Sequence, residues 1–487
     1  MYRLVLCYRY VMSRFLTLVA TLAVLLAVGV LIVVMAVMGG FTREVRSALR
    51  GGLSDVIITG DVTGLPYYDE FIAEIKKHPN VAEATPVIQL FGLVRIQPEG
   101  YGAITKPCFI FGVRPGPLAR VVSRFDEYLE RQKEFPDREP TFALPADIAA
   151  EMKAQEVPIY AGCIPGSDLV SYMVREDEEA VRKNLPTSTD DGGVPRPEIM
   201  RLAKVGSKLV ITTLPVTSRG TIGREGMGAA VNTVARSYTV VDHYKSRLFE
   251  FDSRYLFIPF DEAQKLGELG DTSGTDPDDP PRAHQVLVSL KDYGQARETV
   301  EDLRAVWRSF ASRRVLLWNK DVMIHTWEEE KATVLSVYQM QFGITVILLC
   351  MVMLVAGFLI GAVLTMIVKE KTRDIGILKC LGASNFGVAQ IFLSYAVMVS
   401  SVGALLGLAV GKLFIFKIDA IEVFVSRTLG IDVFPRQVYI FDHIPRYEDP
   451  WLQGMVVLGA ILWAVLCSII AAWRASRLQP VEALRYE

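Results

Sequence analysis

Apolar residues are not spread evenly along this chain. They gather into four uninterrupted blocks, from about Phe15 to Met38, Phe342 to Val368, Phe386 to Val410 and Trp451 to Trp473. None of the four contains a charged residue. At about 1.5 Å per helical residue each is long enough to cross a bilayer core of roughly 30 Å. One Lys, Arg or Asp at the middle of such a segment costs about 2.5–3.5 kcal/mol on insertion, so neutrality over these lengths predicts four membrane-spanning helices. The first block is preceded by Arg3, Arg9 and Arg14. It is long for a cleaved leader, and Met38-Gly39-Gly40-Phe41 offers no small-x-small cleavage pattern, so an uncleaved signal anchor is expected.

The short flanks set the orientation. Between the second and third blocks, Lys369 to Lys379 holds four Lys/Arg against two acids, and Arg474, Arg477 and Arg485 follow the fourth. With the basic residues ahead of the first block, these place both termini and this loop in the cytoplasm. Four crossings then leave the roughly 300 residues between the first two spans outside. The expected division is 1–50 for the first span with its stalk, 51–323 for an extracytoplasmic domain, and 324–368 for a stalk and the second span. A cytoplasmic loop, 369–385, the third span, 386–410, an outer loop, 411–450, the fourth span, 451–473, and a tail, 474–487, complete it.

Between the first two spans the periodicity changes. Phe41 to Leu49 continues at helical spacing as a stalk until Gly51-Gly52. Ser54–Gly60, Val81–Arg95 and Ile104–Val113 read as strands, and Tyr68–Lys77 as a short helix ended at His78-Pro79. This alternation predicts a compact mixed α/β domain. Pro136–Pro145, Thr187–Pro197 and Gly270–Pro281 read as surface loops or insertions. Helical spacing resumes over Tyr293–Phe310, and Glu328–Gln341 is expected to run directly into the second span. The fold class is therefore a mixed membrane α-helical and extracytoplasmic α/β protein.

Composition narrows the chemistry. With 52 Lys/Arg against 54 Asp/Glu in 487 residues, the net charge of -2 gives no basic surplus for nucleic acid. Six Cys and five His are too few and too scattered for a disulfide scaffold or a zinc site. There is no Gly-x-x-x-x-Gly-Lys-Ser/Thr phosphate loop, dinucleotide fingerprint, His-Glu-x-x-His signature or Gly-x-Ser-x-Gly elbow. Gly220, Gly223, Gly226 and Gly228 lack a following Lys-Ser/Thr, and the run of Asp271, Asp276, Asp278 and Asp279 lacks the ordered oxygen ligands of a calcium loop. Both read as external turns. Cys108 and Cys163 fall in the external domain, where either a disulfide or two packed thiols is open. Catalytic, cofactor and metal residues are expected to be none, and any hydrolytic motor must belong to another subunit.

The sharpest local signal is Lys369–Ser384, where Ile375, Leu378 and Leu381 recur every three residues, Gly382 can stop a short helix and Ser384 can cap the next. Lys369-Glu-Lys-Thr-Arg-Asp-Ile-Gly-Ile-Leu-Lys-Cys-Leu-Gly-Ala383 resembles the coupling-helix signature of the FtsX/MacB-type ABC-transporter permeases, and Trp473–Glu487 resembles that family's ending. More narrowly, Arg9-Tyr10, Val37-Met-Gly-Gly-Phe41-Thr-Arg-Glu44, Phe111-Gly-Val-Arg-Pro115 and Val438-Tyr-Ile-Phe-Asp-His-Ile-Pro445 resemble segments of the LolC/LolE-type lipoprotein-releasing permeases. The stretches Gly166–Val205 and Gly270–Pro281 depart from that pattern by their length.

The resemblance implies a membrane permease subunit that binds no cofactor and is driven by a separate cytoplasmic ABC ATPase dimer using ATP and Mg2+. It also implies a second permease copy or homologous permease, a lipoprotein substrate extracted from the inner membrane, and a periplasmic carrier. Arg373, Ile375, Leu378 and Lys379 would couple to the ATPase. Val33, Val37, Met340, Phe342, Ile347, Met351 and Val355 would line the substrate path. Pro215–Arg236 looks like the family's protruding hook, with Arg219 and Arg224 as carrier contacts. Export of another peptide or amphiphile, or a signalling or cell-wall-regulatory complex, is the alternative within the same superfamily. The topology has a direct test: cysteines placed at Ser188 and Ser384 should label from opposite sides of sealed vesicles, and labelling of both from the cytoplasmic side would overturn it.

Overall fold

The structure is a computed structural model that describes residues 15–98, 102–134, 139–173, 199–214, 233–246, 248–270, 279–314, 322–429 and 444–477. The described chain divides into two compact units: Val45–Leu335, and the residues up to Glu44 together with those from Ser336 onward. Arg219, Arg224, the glycines of the expected hook and the acidic run 271–278 lie outside the described residues.

Helix α1, Phe15–Gly52, contains the first apolar block and its continuation. In the Val45–Leu335 unit, β1 (Val56–Thr59), β2 (Leu65–Pro66), α2 (Tyr68–Ile75), β3 (Val81–Ile96) and β4 (Ile104–Val113) follow. They are joined by β5 (Gly162–Pro165), β6 (Ser171–Met173), β7 (Ile199–Arg201), β8 (Lys208–Thr213), β9 (Val234–Val240) and β10 (Tyr255–Pro259). Helix α3 (Phe260–Gly267), β11 (Arg282–Ala283), β12 (Gln285–Leu290), α4 (Ala296–Arg313) and β13 (Met323–Thr326) complete the principal elements. Nine strands form one sheet in the order β13-β1-β12-β3-β4-β10-β5-β9-β8.

The 16-residue β3 organises this sheet. Its first part pairs with β12, Ile88–Ile96 pairs with β4, and Gly92–Ile96 also pairs with β8 on the other edge. Since β8 pairs in turn with β9, strands β3-β4-β10-β5-β9-β8 close on themselves into a barrel, removing the edges an open sheet would leave. Alternation along β3 and β8 turns Val94, Ile96, Leu209 and Ile211 inward with Cys108, Ile110, Tyr238 and Leu256, all buried in one apolar core. A Cβ at Gly92 would stand 2.6 Å from the Thr212 carbonyl oxygen, so glycine sits where three strands crowd together. On α4, Val300, Leu303, Trp307 and Phe310 form the buried stripe, with Trp307 edge-on to Phe71 of α2 at 4.9 Å.

The chain enters and leaves this unit side by side. Strands β1 and β13 pair antiparallel, Arg46 lies 2.6 Å from Glu328, and Trp327 N donates to Asp55 O. Here the structure departs from the expected unbroken stalk helix. Thr326 and Glu329 form a reciprocal capping box that starts a short helix, Trp327–Glu330, and Lys331, at φ -100 and ψ 17, separates it from the long helix α5, Ala332–Glu370.

The second unit contains α5, then α6 (Thr372–Cys380), α7 (Asn385–Phe416), α8 (Ile418–Leu429) and α9 (Pro450–Ser476). By length and composition α1, α5, α7 and α9 are the four candidate spans. Lipid tails are as apolar as leucine, so their association rests on close packing of small residues. Gly403, Gly407 and Gly411 of α7 recur every four residues against α1: added Cβ atoms would lie 2.9 Å from Thr21 O, 2.7 Å from Leu25 O and 3.2 Å from Gly29 O. Ala460, Ala464, Ser468, Ala471 and Ala475 form the buried small-residue stripe of α9. A Cβ at Gly361 of α5 would lie 2.9 Å from Cys467 O of α9. One buried polar pair, Thr17 Oγ1 and Tyr395 OH at 2.7 Å, joins α1 to α7.

Ile444–Tyr447 straps the span ends together. Tyr447 N donates to Ala36 O, Arg446 Nη1 to Ile415 O at 2.9 Å, and Ile444 N to the Asp419 carboxylate. Gly40 admits this crossing, since its Cβ would meet Pro445 O at 2.5 Å. The Arg43 guanidinium lies 4.0 Å from the centre of the Tyr447 ring. The glycine contacts generate a stability prediction. Gly407→Val should destabilise the detergent-solubilised chain by about 1–3 kcal/mol through overpacking, whereas Gly459→Ala, with open space around its Cβ, should leave the thermal midpoint nearly unchanged.

Candidate functional site

The loop between α5 and α7 is built from short-range constraints. A single residue, Lys371, separates α5 from α6, and its ammonium pairs with Asp374 at 2.7 Å. Thr372 Oγ1 donates to the Lys369 carbonyl at 2.8 Å. At the other end Gly382, at φ +92, takes the left-handed conformation that closes a helix, with its N–H on Lys379 O and the Ala383 N–H on Leu378 O. Ser384 then caps α7 by accepting from Gly387 N at 3.1 Å. The loop is thus a preformed helix with a defined outer face.

That face is not the one expected from the three-residue recurrence. A true helix turns 3.6 residues per cycle, so positions spaced by three drift about 60° per step. Ile375 is only 3% exposed and belongs to the core of its own unit, while Leu381 is 81% exposed. Leu378 and Lys379 are half-buried, and Lys379 Nζ donates to Ser476 O at 2.7 Å. Of the four expected coupling residues only Arg373 is exposed. It shares the outer face with Ile377, Cys380 and Leu381. The sequence reading missed Ile377 as a surface residue. Projection at 100° per residue, instead of counting in threes, separates the two sets.

The expected path residues fall into two groups. Met340, Ile347, Met351 and Val355 are exposed along one side of α5, continuous with Ile344, Leu348 and Phe358. Val33, Val37 and Phe342 are half-buried. The buried residues of α5 are confined to its second half, from Ala356 to Val368. The first half therefore carries a long apolar face that is exposed among the described residues. Such a face meets lipid, another permease subunit or an apolar substrate, and Val33 and Val37 stand beside the strap-bearing Ala36 and Gly40 of α1.

The Val45–Leu335 unit offers little acid–base chemistry. Cys108 and Cys163 are free and buried inside the barrel, and burial pushes the Cys108 thiol up to about 12 and the Cys163 thiol higher, so both are inert packed thiols. Burial lowers the His284 imidazole to about 4, leaving Nδ1 to accept from Gln89 N at 3.3 Å. His284, Gln89, Phe91 and Phe109 line an open cleft of about 290 Å³. Burial also lowers the Lys106 ammonium, which donates to the Ser171 carbonyl at 2.7 Å. Among the described residues no three His, Cys, Asp or Glu side chains gather to hold a metal.

Residues 346–480, from within α5 through α9, match the FtsX family, described as FtsX-like permease C-terminal. Over 479 residues the chain is 22% identical to the lipoprotein-releasing system transmembrane protein LolC of Xylella fastidiosa, covering 97% of this chain and 94% of that protein. It is 32% identical over 143 residues to the corresponding LolE protein of Haemophilus influenzae, covering 29% of this chain and 34% of that protein. A match of 26% over 201 residues links it to the macrolide export ATP-binding/permease protein MacB of Nitrobacter winogradskyi, covering 41% and 27%. These similarities support the FtsX/MacB-type ABC-transporter permease superfamily, and four long apolar helices with a large mixed α/β domain between the first two match a multi-pass inner-membrane protein whose large domain is periplasmic.

The burial pattern of α6 predicts a contrast between two substitutions in the isolated chain. Ile375→Asp should place a carboxylate in an apolar core and cost roughly 3 kcal/mol or more, read as a lower thermal midpoint and yield in detergent. Leu381→Asp should leave both nearly unchanged. Equal tolerance at the two positions would reverse the assigned faces.

Proposed function

We propose that this permease relays the closure of a separate cytoplasmic ATPase dimer, running on ATP and Mg2+, to extract lipoproteins from the inner membrane and release them to a periplasmic acceptor. The observation that carries this reading is the extent of the similarity to LolC, which runs along nearly the whole of both chains. The match to MacB spans less than half of this one. The lipoprotein substrate, the second permease copy or homologue, and the carrier all belong to this proposal.

The chain's own residues supply the parts of a relay. Arg373, Ile377 and Leu381 form the outer face of α6 and offer a cationic and apolar surface to an ATPase groove. Helix α6 connects through one residue to α5 and through the Gly382 turn to α7, so pressure on it reaches two spans without a flexible linker between. The exposed side of α5, with Met340, Ile347, Met351 and Val355, is a surface on which acyl chains can lie, joined by Val33, Val37 and Phe342. Each buried CH2 is worth about 0.8 kcal/mol, so removing several acyl chains from a bilayer requires a motor. Arg219 and Arg224 remain candidates for the carrier contact.

The test uses the complete complex in proteoliposomes with a labelled lipoprotein and a soluble acceptor. Release should require ATP hydrolysis and fall at least about tenfold on Val355→Arg or Val37→Arg when assembly is unchanged, since a buried charge in an apolar path is costly. Leu381→Asp should weaken co-purification of the ATPase. Normal release by the fully assembled Arg variants would remove the proposed path. A native complex that hydrolyses ATP yet moves no lipoprotein would replace this reading with export of another amphiphile.

A further inference from the structure

We propose that Lys379 is a positioning residue that fastens α6 to the cytoplasmic end of α9, so that displacement of α6 is delivered to the fourth span as well as to the two spans it joins in sequence. This rests on reading α6 as the element an ATPase moves. It assigns Lys379 to the inside of the relay and not to the ATPase contact.

Three observations carry it. Lys379 Nζ donates to the carbonyl oxygen of Ser476, the last residue of α9, at 2.7 Å. That carbonyl is among the terminal groups left without an intrahelical partner, where the helix dipole places partial negative charge, so an ammonium there is favourable both as donor and as charge. Ser476 itself is buried, and its hydroxyl turns back to Trp473 O, leaving the carbonyl for the lysine.

Second, four residues back on the same helical face, Ile375 is buried in a cluster that includes Ala471, Ala472 and Ala475 of α9. An apolar side chain buried in this shared core and a charged tie one turn apart hold the same face of α6 toward the bundle. Third, α9 is joined to α6 only by a long stretch of chain. The chain runs from α6 through Gly382 into α7 and returns only after α8 and Ile444–Tyr447. The Lys379–Ser476 bond therefore gives α6 a direct hold on the inner end of α9, beside the packing of α7 on α9, while the outward Arg373, Ile377 and Leu381 remain available to a partner.

The experiment compares Lys379→Met, which keeps the stem and removes the charge, with Lys379→Arg, which can still donate to the carbonyl. In the purified chain alone, hydrogen exchange of amides in 375–381 and 472–477 should accelerate about tenfold in Lys379→Met and return toward the native rate in Lys379→Arg. Unchanged exchange in Lys379→Met would overturn the tie.

In the complex with its co-purifying ATPase, spin labels at the exposed positions Met455 on α9 and Leu413 on α7 report the outer ends of the two spans. Addition of ATP should change their separation in the native and Lys379→Arg proteins but not in Lys379→Met, with ATPase stoichiometry equal in all three. A persisting change in Lys379→Met would overturn delivery through the tie, and loss of the ATPase from that variant would make Lys379 a docking residue and overturn it equally. Absence of any co-purifying ATPase from the native chain would instead overturn the reading of α6 as a coupling element, with the exchange rates still deciding whether α6 is fastened to α9.

Discussion

The membrane unit depends on the close backbone approach of α1 and α7. In hydrocarbon the hydrophobic effect does not draw helices together, so the contact is stabilised by short-range packing and by polar groups that find partners within the bundle. Gly29 of α1 and Gly403, Gly407 and Gly411 of α7 let carbonyl oxygens and α-carbons of one helix lie in the groove of the other. Thr17 and Tyr395 add one buried hydrogen bond along the same seam. The small residues of α9 and Gly361 of α5 extend the principle to the other spans. Bulk at these positions would separate the helices, and the exposed apolar faces of α5 would lose a fixed support.

A bundle held in this way moves as packed blocks, because close-packed interfaces hold one arrangement or another and resist intermediate ones. The device that couples blocks then has to be short and stiff. Helix α6 meets that requirement with one residue on its α5 side and a glycine-closed turn on its α7 side. The Ile444–Tyr447 strap does the same work at the other end of the spans, binding α1, α7 and α8 through backbone carbonyls and one carboxylate. Backbone acceptors suit such joints, since they are present whatever the side chain and have a second lone pair to offer.

The α/β unit solves a different problem. Its long strand β3 serves three neighbours and closes six of the nine strands into a barrel around a large apolar core, with β12, β1 and β13 extending from it. Its thiols and its buried imidazole are held by burial in unreactive forms. Their chemistry is that of a scaffold.

Much of this was legible along the chain. Four neutral apolar blocks could only be long buried or membrane helices, and strands such as Ile104–Val113 announced themselves by alternation, because side-chain periodicity is a local property of the backbone. The turn at Gly382 and the cap at Ser384 were equally local. What the sequence by itself did not determine was which side of each element would be covered. Ile375 and Leu381 are the same kind of residue six positions apart, yet one packs into the core and the other faces outward, since that choice depends on the surrounding spans, whose residues in that core lie far away in the chain. Barrel closure by β8, the strap across Gly40 and the engagement of Lys379 with Ser476 share this origin. Each is a contact between residues distant in sequence, and only the packed structure sets which donor meets which carbonyl.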